Sequence, residues 1–179
     1  MLKAENAVLV VIDLQGNLYR SMDEKLFLLE NSRKIIRGVP LFGIPLVVTE
    51  QTPNKLGPTI PEIGELLGGV TLIAKADFSC WQNQDFVREV KSRNRTDILV
   101  AGIEAHVCVY QTVMDMLDEG YRVHVVADAV SSRTARNREI GIARMRDAGA
   151  AIVSAEMVLF ELLQTAESDK FKDVFKIVK

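Results

Sequence analysis

The chain has 179 residues, 48% of them hydrophobic and 26% charged, and a formal net charge of −2 at pH 7. This composition is typical of a single globular domain, here residues 1–179, and excludes a disordered or collagen-like chain. Because acidic residues outnumber basic ones, 24 to 22, the sequence also argues against binding to a nucleic-acid backbone.

Six short apolar runs predict β-strands, and longer amphipathic stretches between them predict helices. The predicted strands are residues 7–13, 45–49, 70–74, 98–101, 123–127 and 151–153. Apolar residues recur at helical spacing over 28–39, 109–117, 140–145 and 171–178. This alternation predicts a doubly wound, three-layer α/β/α fold with a six-stranded, mainly parallel sheet. The Pro- and Gly-rich segment 52–65 is predicted to be a long loop that serves as a lid or an oligomer contact.

The chain carries two cysteines, Cys80 and Cys108, which are too few for a disulfide framework. Its apolar runs are far shorter than the roughly 20 residues of a membrane span, and its first residues do not resemble a signal peptide. We therefore expect a cytoplasmic protein that does not enter membranes and in which a special cysteine is reactive rather than structural.

Polar residues follow the predicted strands at the edge where ligands bind in open α/β sheets. Asp13 ends the first strand, Lys75 follows the third, and Cys108 begins the helix after the fourth. A helix start and a nearby ammonium group both favour a thiolate, so we expect the pKa of Cys108 to be lowered. The alternatives are a small buried cysteine, an Asp13 that caps a loop, and a Lys75 whose ammonium group reaches water.

Three blocks of sequence closely resemble the isochorismatase-like cysteine hydrolases. They are VLVVIDLQ at 8–15, AKADFSCW at 74–81 and VAGIEAHVCVYQT at 100–112, and VADAVSSR at 126–133 is also similar to that family. The resemblance extends over roughly residues 5–165, with the blocks in the family's order and spacing. It implies a catalytic triad of Asp13, Lys75 and Cys108.

The resemblance also implies a mechanism in which Asp13 takes the thiol proton and Lys75 holds the geometry. Cys108 then attacks a carbonyl or nitrile-like carbon, and water hydrolyses the resulting acyl-enzyme. The family stabilises the oxyanion with the amide of the cysteine and the amide four residues earlier, here Glu104. That second amide follows a non-proline cis peptide, which would fall at Ile103–Glu104.

Two departures from the family pattern narrow the expected chemistry. Nicotinamidases of the family hold a metal with an Asp and two His after the second strand, whereas residues 49–56 here contain no histidine. Isochorismate-cleaving members lack the nucleophilic cysteine, whereas this chain has Cys108. We therefore expect a hydrolase of small amide-type C–N bonds that uses no metal and no cofactor, and that forms homo-oligomers as the family does.

Residues that flank the triad blocks are expected to line the substrate pocket. They are Leu14, Leu18, Phe78, Trp81 and His106, although plain core packing is an equal interpretation of Phe78 and Trp81. Cys80 is interpreted as a buried residue rather than a resolving thiol. The alternatives for function are hydrolysis of another carbonyl substrate, a redox-active thiol protein, and a non-catalytic oligomeric scaffold.

Overall fold

A computed structural model describes residues 1–179 and contains a six-stranded sheet whose strands are all parallel. The strand order is β3-β2-β1-β4-β5-β6. The strands are β1 (Ala7–Ile12), β2 (Leu46–Gln51), β3 (Leu72–Lys75), β4 (Asp97–Ile103), β5 (Arg122–Ser131) and β6 (Ala151–Val153). The order reverses between β1 and β4, which places the topological switch point of the sheet there.

Nine helices connect or flank these strands. They are α1 (Gly16–Arg20), α2 (Lys25–Gly38), α3 (Pro53–Leu56), α4 (Pro61–Gly64), α5 (Gln84–Ser92), α6 (Cys108–Asp118), α7 (Ala135–Asp147), α8 (Ala155–Leu163) and α9 (Phe171–Val178). Short 3-10 turns lie at Ala4–Asn6, Val39–Phe42 and Cys80–Gln82. None of the helices has the length and apolar character that crossing a membrane would require.

Hydrophobic side chains form one core on each face of the sheet. The first core packs α2, α8 and α9 against one face, and the second packs α5, α6 and α7 against the other. Strand β1 supplies alternate residues to both cores, which explains why its sequence AVLVVI is apolar throughout. The predicted three-layer α/β/α fold is thus confirmed.

The segment 52–65, predicted as a loop, contains the short helices α3 and α4. Its middle is attached to the strand ends, because Glu50 Oε1 accepts hydrogen bonds from the backbone amide and the hydroxyl of Thr59 at 2.6 and 2.7 Å. Gln15 Nε2 also donates to the carbonyl oxygen of Gly57 at 2.6 Å. These bonds fix the segment over the ends of β1 and β2, so it is anchored at its centre.

Besides the short helices α1, α3 and α4, the longer helices α5 and α8 were not predicted from apolar spacing. In α5 only Phe86 and Val90 are buried, so its apolar stripe is too sparse to identify by periodicity. Both helices begin with a polar cap: the side chains of Asn83 and Ser154 accept hydrogen bonds from the backbone amides three residues later. These capping residues were the available sequence signal.

A buried carboxylate joins the starting ends of β4 and β5. Asp97 accepts hydrogen bonds from the guanidinium of Arg122 at 2.8 and 2.6 Å and lies 3.0 Å from Nε2 of His124. Burial alone would raise the pKa of Asp97, but the hydrogen bonds and charges of Arg122 and His124 outweigh it and lower the pKa. The ionised form is therefore stabilised in the folded protein.

We expect Asp97→Asn to lower the free energy of unfolding at pH 7 by about 2 kcal/mol, as loss of hydrogen bonds to a charged group does. Because the folded pKa is lowered, this contribution is complete above the unfolded value of about 3.9 and disappears as the pH falls through the folded value. Urea unfolding of the wild-type and Asp97→Asn proteins measures the difference in stability at pH 7 and its disappearance at about pH 2. The exposed Asp118→Asn is the control. An equal difference at both pH values would contradict the expectation.

Candidate active site

The side chains of Asp13 and Lys75 form a buried ion pair at the carboxyl ends of β1 and β3. Lys75 Nζ lies 2.7 Å from Asp13 Oδ2, and both side chains are 0% exposed. The two residues are 62 positions apart in sequence, and the parallel order of the sheet brings them together. Pairing compensates the cost that each charge would pay if it were buried alone.

Lys75 is held by three further oxygen atoms. Its Nζ donates to Gln51 Oε1 at 2.5 Å and lies 3.2 and 3.3 Å from the carbonyl oxygens of Asp77 and Phe78. Burial alone would lower the pKa of Lys75, but the facing groups of Cys80, Asp13 and Cys108 outweigh it and raise the pKa. The side chain is therefore a fixed ammonium ion at neutral pH.

Cys108 is the first residue of α6 and is 5% exposed. Its Sγ lies 3.9 Å from Gln51 Oε1, the same oxygen that accepts from Lys75. Burial and the negative charge of Asp13 raise the pKa of Cys108 to about 12, although Lys75 acts in the opposite direction. The expected lowering of this pKa is therefore wrong, because desolvation and the nearby carboxylate exceed the effect of the ammonium group.

The loop between β4 and α6 leaves the backbone amides of Glu104, His106 and Cys108 without acceptors. The Ile103–Glu104 peptide bond is cis, as the resemblance implied. Neither the Glu104 amide nor the Cys108 amide donates a hydrogen bond within the protein, whereas the amides of Val107 and Val109 both donate to the carbonyl oxygen of Glu104. Two free N–H groups therefore lie four residues apart in the loop that carries the thiol, which is the donor set an oxyanion needs.

A glycine allows the strand that leads into this loop to lie against β1. Gly102 has a φ of 126°, which L-residues with side chains rarely adopt, and it is paired with Ile12 in the sheet. A Cβ atom at position 102 would overlap the backbone of Ile12, the residue before Asp13. The glycine thus keeps the loop of Cys108 close to the strand end of Asp13.

The loop of Cys108 is also attached to the end of β5. The Ala105 amide donates to the carbonyl oxygen of Ser131 at 2.8 Å, and His106 Nδ1 lies 2.9 Å from Ser132 Oγ. Glu104 Oε2 accepts from Nε of Arg133 at 3.0 Å. His106 therefore has a hydrogen-bonding partner other than Cys108.

Sequence reasoning missed Gln51, whose oxygen contacts both the ammonium and the thiol. Its backbone amide donates to Gln15 Oε1 at 2.7 Å, and Gln15 Nε2 donates back to the Gln51 carbonyl oxygen at 3.0 Å. This reciprocal pair of bonds fixes the end of β2. The available signal was position, because Gln51 ends β2 at the edge of the sheet where Asp13 follows β1.

The five residues predicted to line a pocket occupy different environments. Leu14 is buried in the first hydrophobic core and Leu18 packs against that core. Trp81 packs edge-to-face against Phe86 and Tyr121. Phe78, in contrast, is 55% exposed and lies in the loop after β3. Their role as pocket walls stays a prediction.

Comparison with known proteins identifies relatives along almost the whole chain. The family model described as the isochorismatase domain matches residues 7–157. The secreted isochorismatase effector Isc1 of Phytophthora sojae is 37% identical in an alignment of length 184, which covers 97% of this chain and 85% of that protein.

Solved structures agree with this match. The MAR1 ribonuclease of Caenorhabditis elegans superimposes with a TM-score of 0.92 at 34% identity, over 99% of this chain and 91% of that one. The YcaC gene product of Escherichia coli, described as an octameric hydrolase of unknown specificity, superimposes with a TM-score of 0.93 at 25% identity, over 98% and 89%. The likeness therefore includes all of the elements that carry the buried ion pair and the thiol.

Proposed function

This chain belongs to the isochorismatase family of hydrolases, and from that premise we propose that it cleaves a small amide-type C–N bond with Cys108 as the nucleophile. One observation carries the proposal: the buried Asp13–Lys75 ion pair lies beside a nearly buried thiol. A buried ion pair is a poor source of stability, because desolvating two charges costs about as much as their attraction returns. A catalytic role explains why the sequence retains it.

The proposed reaction begins when Asp13 accepts the thiol proton as the sulfur of Cys108 attacks the carbonyl carbon. The raised pKa of Cys108 fits this order, since the resting thiol keeps its proton until the attack. The negative charge that develops on the carbonyl oxygen is stabilised by the amides of Glu104 and Cys108. Lys75 stays protonated and holds the Asp13 carboxylate in place for the proton transfer.

The intermediate then collapses and the C–N bond breaks. The proton held by Asp13 passes to the leaving nitrogen, which departs as an amine or ammonia, and a thioester remains on Cys108. A water molecule next gives a proton to Asp13 as its oxygen attacks the thioester carbon. The C–S bond breaks, the proton returns to the sulfur, and the product is a carboxylic acid.

The proposal includes independence from metals and cofactors. In the family region that would hold a metal, Glu50 is engaged with Thr59 and Gln51 with Lys75. Each step above uses only side chains and amides of this chain and one water molecule.

We also propose a homo-oligomer in a reducing compartment such as the cytoplasm. The E. coli neighbour is described as octameric, and both cysteines of this chain are free. The Phytophthora relative is described as secreted, so family membership alone does not decide the compartment.

The redox-active alternative is not favoured. Redox-sensing cysteines are exposed and have a low pKa, whereas Cys108 is nearly buried and its pKa is raised.

The nematode neighbour is described as a ribonuclease, and we do not extend that activity to this chain. Binding an RNA backbone is favoured by a large positive charge, whereas the net charge here is −2. A small uncharged acyl substrate agrees better with a thiol that is 5% exposed.

Limiting iodoacetamide between pH 5 and 9, with the adduct located by mass spectrometry, tests the nucleophile. We expect modification of Cys108 before Cys80, since Cys80 is 0% exposed, and a rate that rises over this whole range because the thiol pKa is raised to about 12. Incubation with a library of small amides should then produce an acyl adduct that prior alkylation prevents. Preferential modification of Cys80, or an unreactive Cys108, would contradict the proposal.

A further inference from the structure

A second cysteine and two threonines form a buried polar connection behind the ion pair. Thr49 lies on β2 opposite Ile12 and is 0% exposed, as are Cys80 and Thr112. Thr49 Oγ1 lies 2.8 Å from Asp13 Oδ1 and 3.7 Å from Cys80 Sγ. The Cys80 amide donates to Thr112 Oγ1 at 2.9 Å. The connection therefore begins at the carboxylate and ends on α6.

Only one assignment of donors and acceptors is possible for the side-chain hydrogen bonds in this connection. An ionised carboxylate has no hydrogen to donate, so the hydroxyl of Thr49 donates to Asp13. That hydroxyl has a single hydrogen, and the thiol of Cys80 must therefore be the donor in the contact with Thr49. Burial raises the pKa of Cys80 to about 11, so the thiol keeps its hydrogen at neutral pH.

The far end of the connection lies close to the nucleophile in the fold. Thr112 is four residues after Cys108 on α6, which places both on the same side of the helix one turn apart. The turn that holds Cys80 is attached to α6 a second time, because Ser79 Oγ donates to Asp115 Oδ2 at 2.7 Å. Asp13 and the helix of Cys108 are thus held in one buried frame.

We propose that Thr49 is a positioning residue for Asp13, and that the Cys80 thiol orients the Thr49 hydroxyl. The hydroxyl occupies Oδ1 while Lys75 occupies Oδ2, so the carboxylate is held in one orientation. This inference rests on the proposed function, in which Asp13 is the base. It gives Cys80 a role as a hydrogen-bond donor instead of that of a filler or a resolving thiol.

The test compares Thr49→Val, which keeps the shape but removes the hydroxyl, with Thr49→Ser, which keeps the hydroxyl. The measured quantity is the rate of Cys108 acetylation by p-nitrophenyl acetate, followed by p-nitrophenolate release between pH 4 and 9. We expect Thr49→Val to lower the maximal rate about tenfold to a hundredfold with little change in KM, and Thr49→Ser to restore most of it.

The comparison of Thr49→Val with Thr49→Ser separates positioning from general damage to the core. The charged or titratable groups that face Asp13 are Lys75 from β3, Cys80 from the following turn and Cys108 from α6. Both thiols are protonated in this range, and Lys75 is charged throughout. Thr49→Val should therefore lower the rate across this range with KM nearly unchanged, and Thr49→Ser should not, because only the valine lacks the donor to Asp13.

Each outcome decides the proposal. If a folded Thr49→Val protein is acetylated at the wild-type rate between pH 4 and 9, the positioning role of Thr49 is overturned, while Cys108 remains the nucleophile. An inert Cys108 in the wild-type protein overturns the proposed function and this inference with it. If Thr49→Val does not fold, Cys80→Ala is tested in its place. This variant removes the thiol that orients the Thr49 hydroxyl, so acetylation of Cys108 is expected to be several-fold slower. An unchanged rate overturns the inference.

Discussion

Replacing Cys108 by alanine is expected to reduce hydrolysis of p-nitrophenyl acetate, and of any amide from the library that proves to be a substrate, by about a thousandfold or more. The variant lacks the atom that attacks the carbonyl carbon, and no other thiol can replace it because Cys80 is 0% exposed. Steady-state rates above the buffer background, with intact-protein mass spectrometry for the acyl adduct, measure the loss.

Stability should change little in the same variant, which separates chemistry from folding. Removing one buried sulfur atom costs about 1 kcal/mol. It also removes a thiol that lies in a partly polar setting, 3.9 Å from Gln51 Oε1. Gln111→Ala, an exposed position on the same helix, is the matched control and should retain full activity. Substantial hydrolysis by a folded Cys108→Ala protein would contradict the assignment of Cys108 as the nucleophile.

The carboxyl-end edge of the sheet was predictable because its pattern is local in sequence. Buried parallel strands are apolar throughout, so the first polar residue after each one identifies the edge, and Asp13 and Lys75 both follow that rule. The beginning of α6 at Cys108 could be inferred from the helical spacing that starts at Val109. Periodicity and strand ends therefore indicated which residues to consider.

The direction of the pKa shift of Cys108 could not be predicted from the sequence in the same way. The sequence suggests an ammonium group and a helix start near Cys108, which lower a thiol pKa. It does not report how completely the thiol is buried, and burial together with the charge of the expected neighbour Asp13 determines the direction of the pKa shift. The roles of Gln51 and Thr49 were hidden for a related reason: each depends on register between strands, which periodicity does not give.

Replacing Lys75 by methionine is expected to lower the free energy of unfolding by about 3–5 kcal/mol, because the Asp13 carboxylate would stay buried without its partner. Acetylation and alkylation of Cys108 should also slow, since the ammonium group lowers the thiol pKa and its loss raises that pKa further. Urea unfolding and the alkylation rate at pH 8 measure the two effects. The exposed Lys172→Met should match the wild-type protein in both.

The double variant Asp13→Asn with Lys75→Met distinguishes an ion pair from two independent contacts. Asparagine suits the left-handed backbone of position 13, where φ is 53°, so the exchange adds little strain. With both charges gone, neither is left unpaired, and the double variant should recover much of the stability that Lys75→Met loses. Activity should not return, because the base is absent. If the loss of stability in the double variant equals the sum of the losses in Asp13→Asn and in Lys75→Met, the two charges do not compensate each other. That result would contradict the interpretation that the buried ion pair is retained for catalysis.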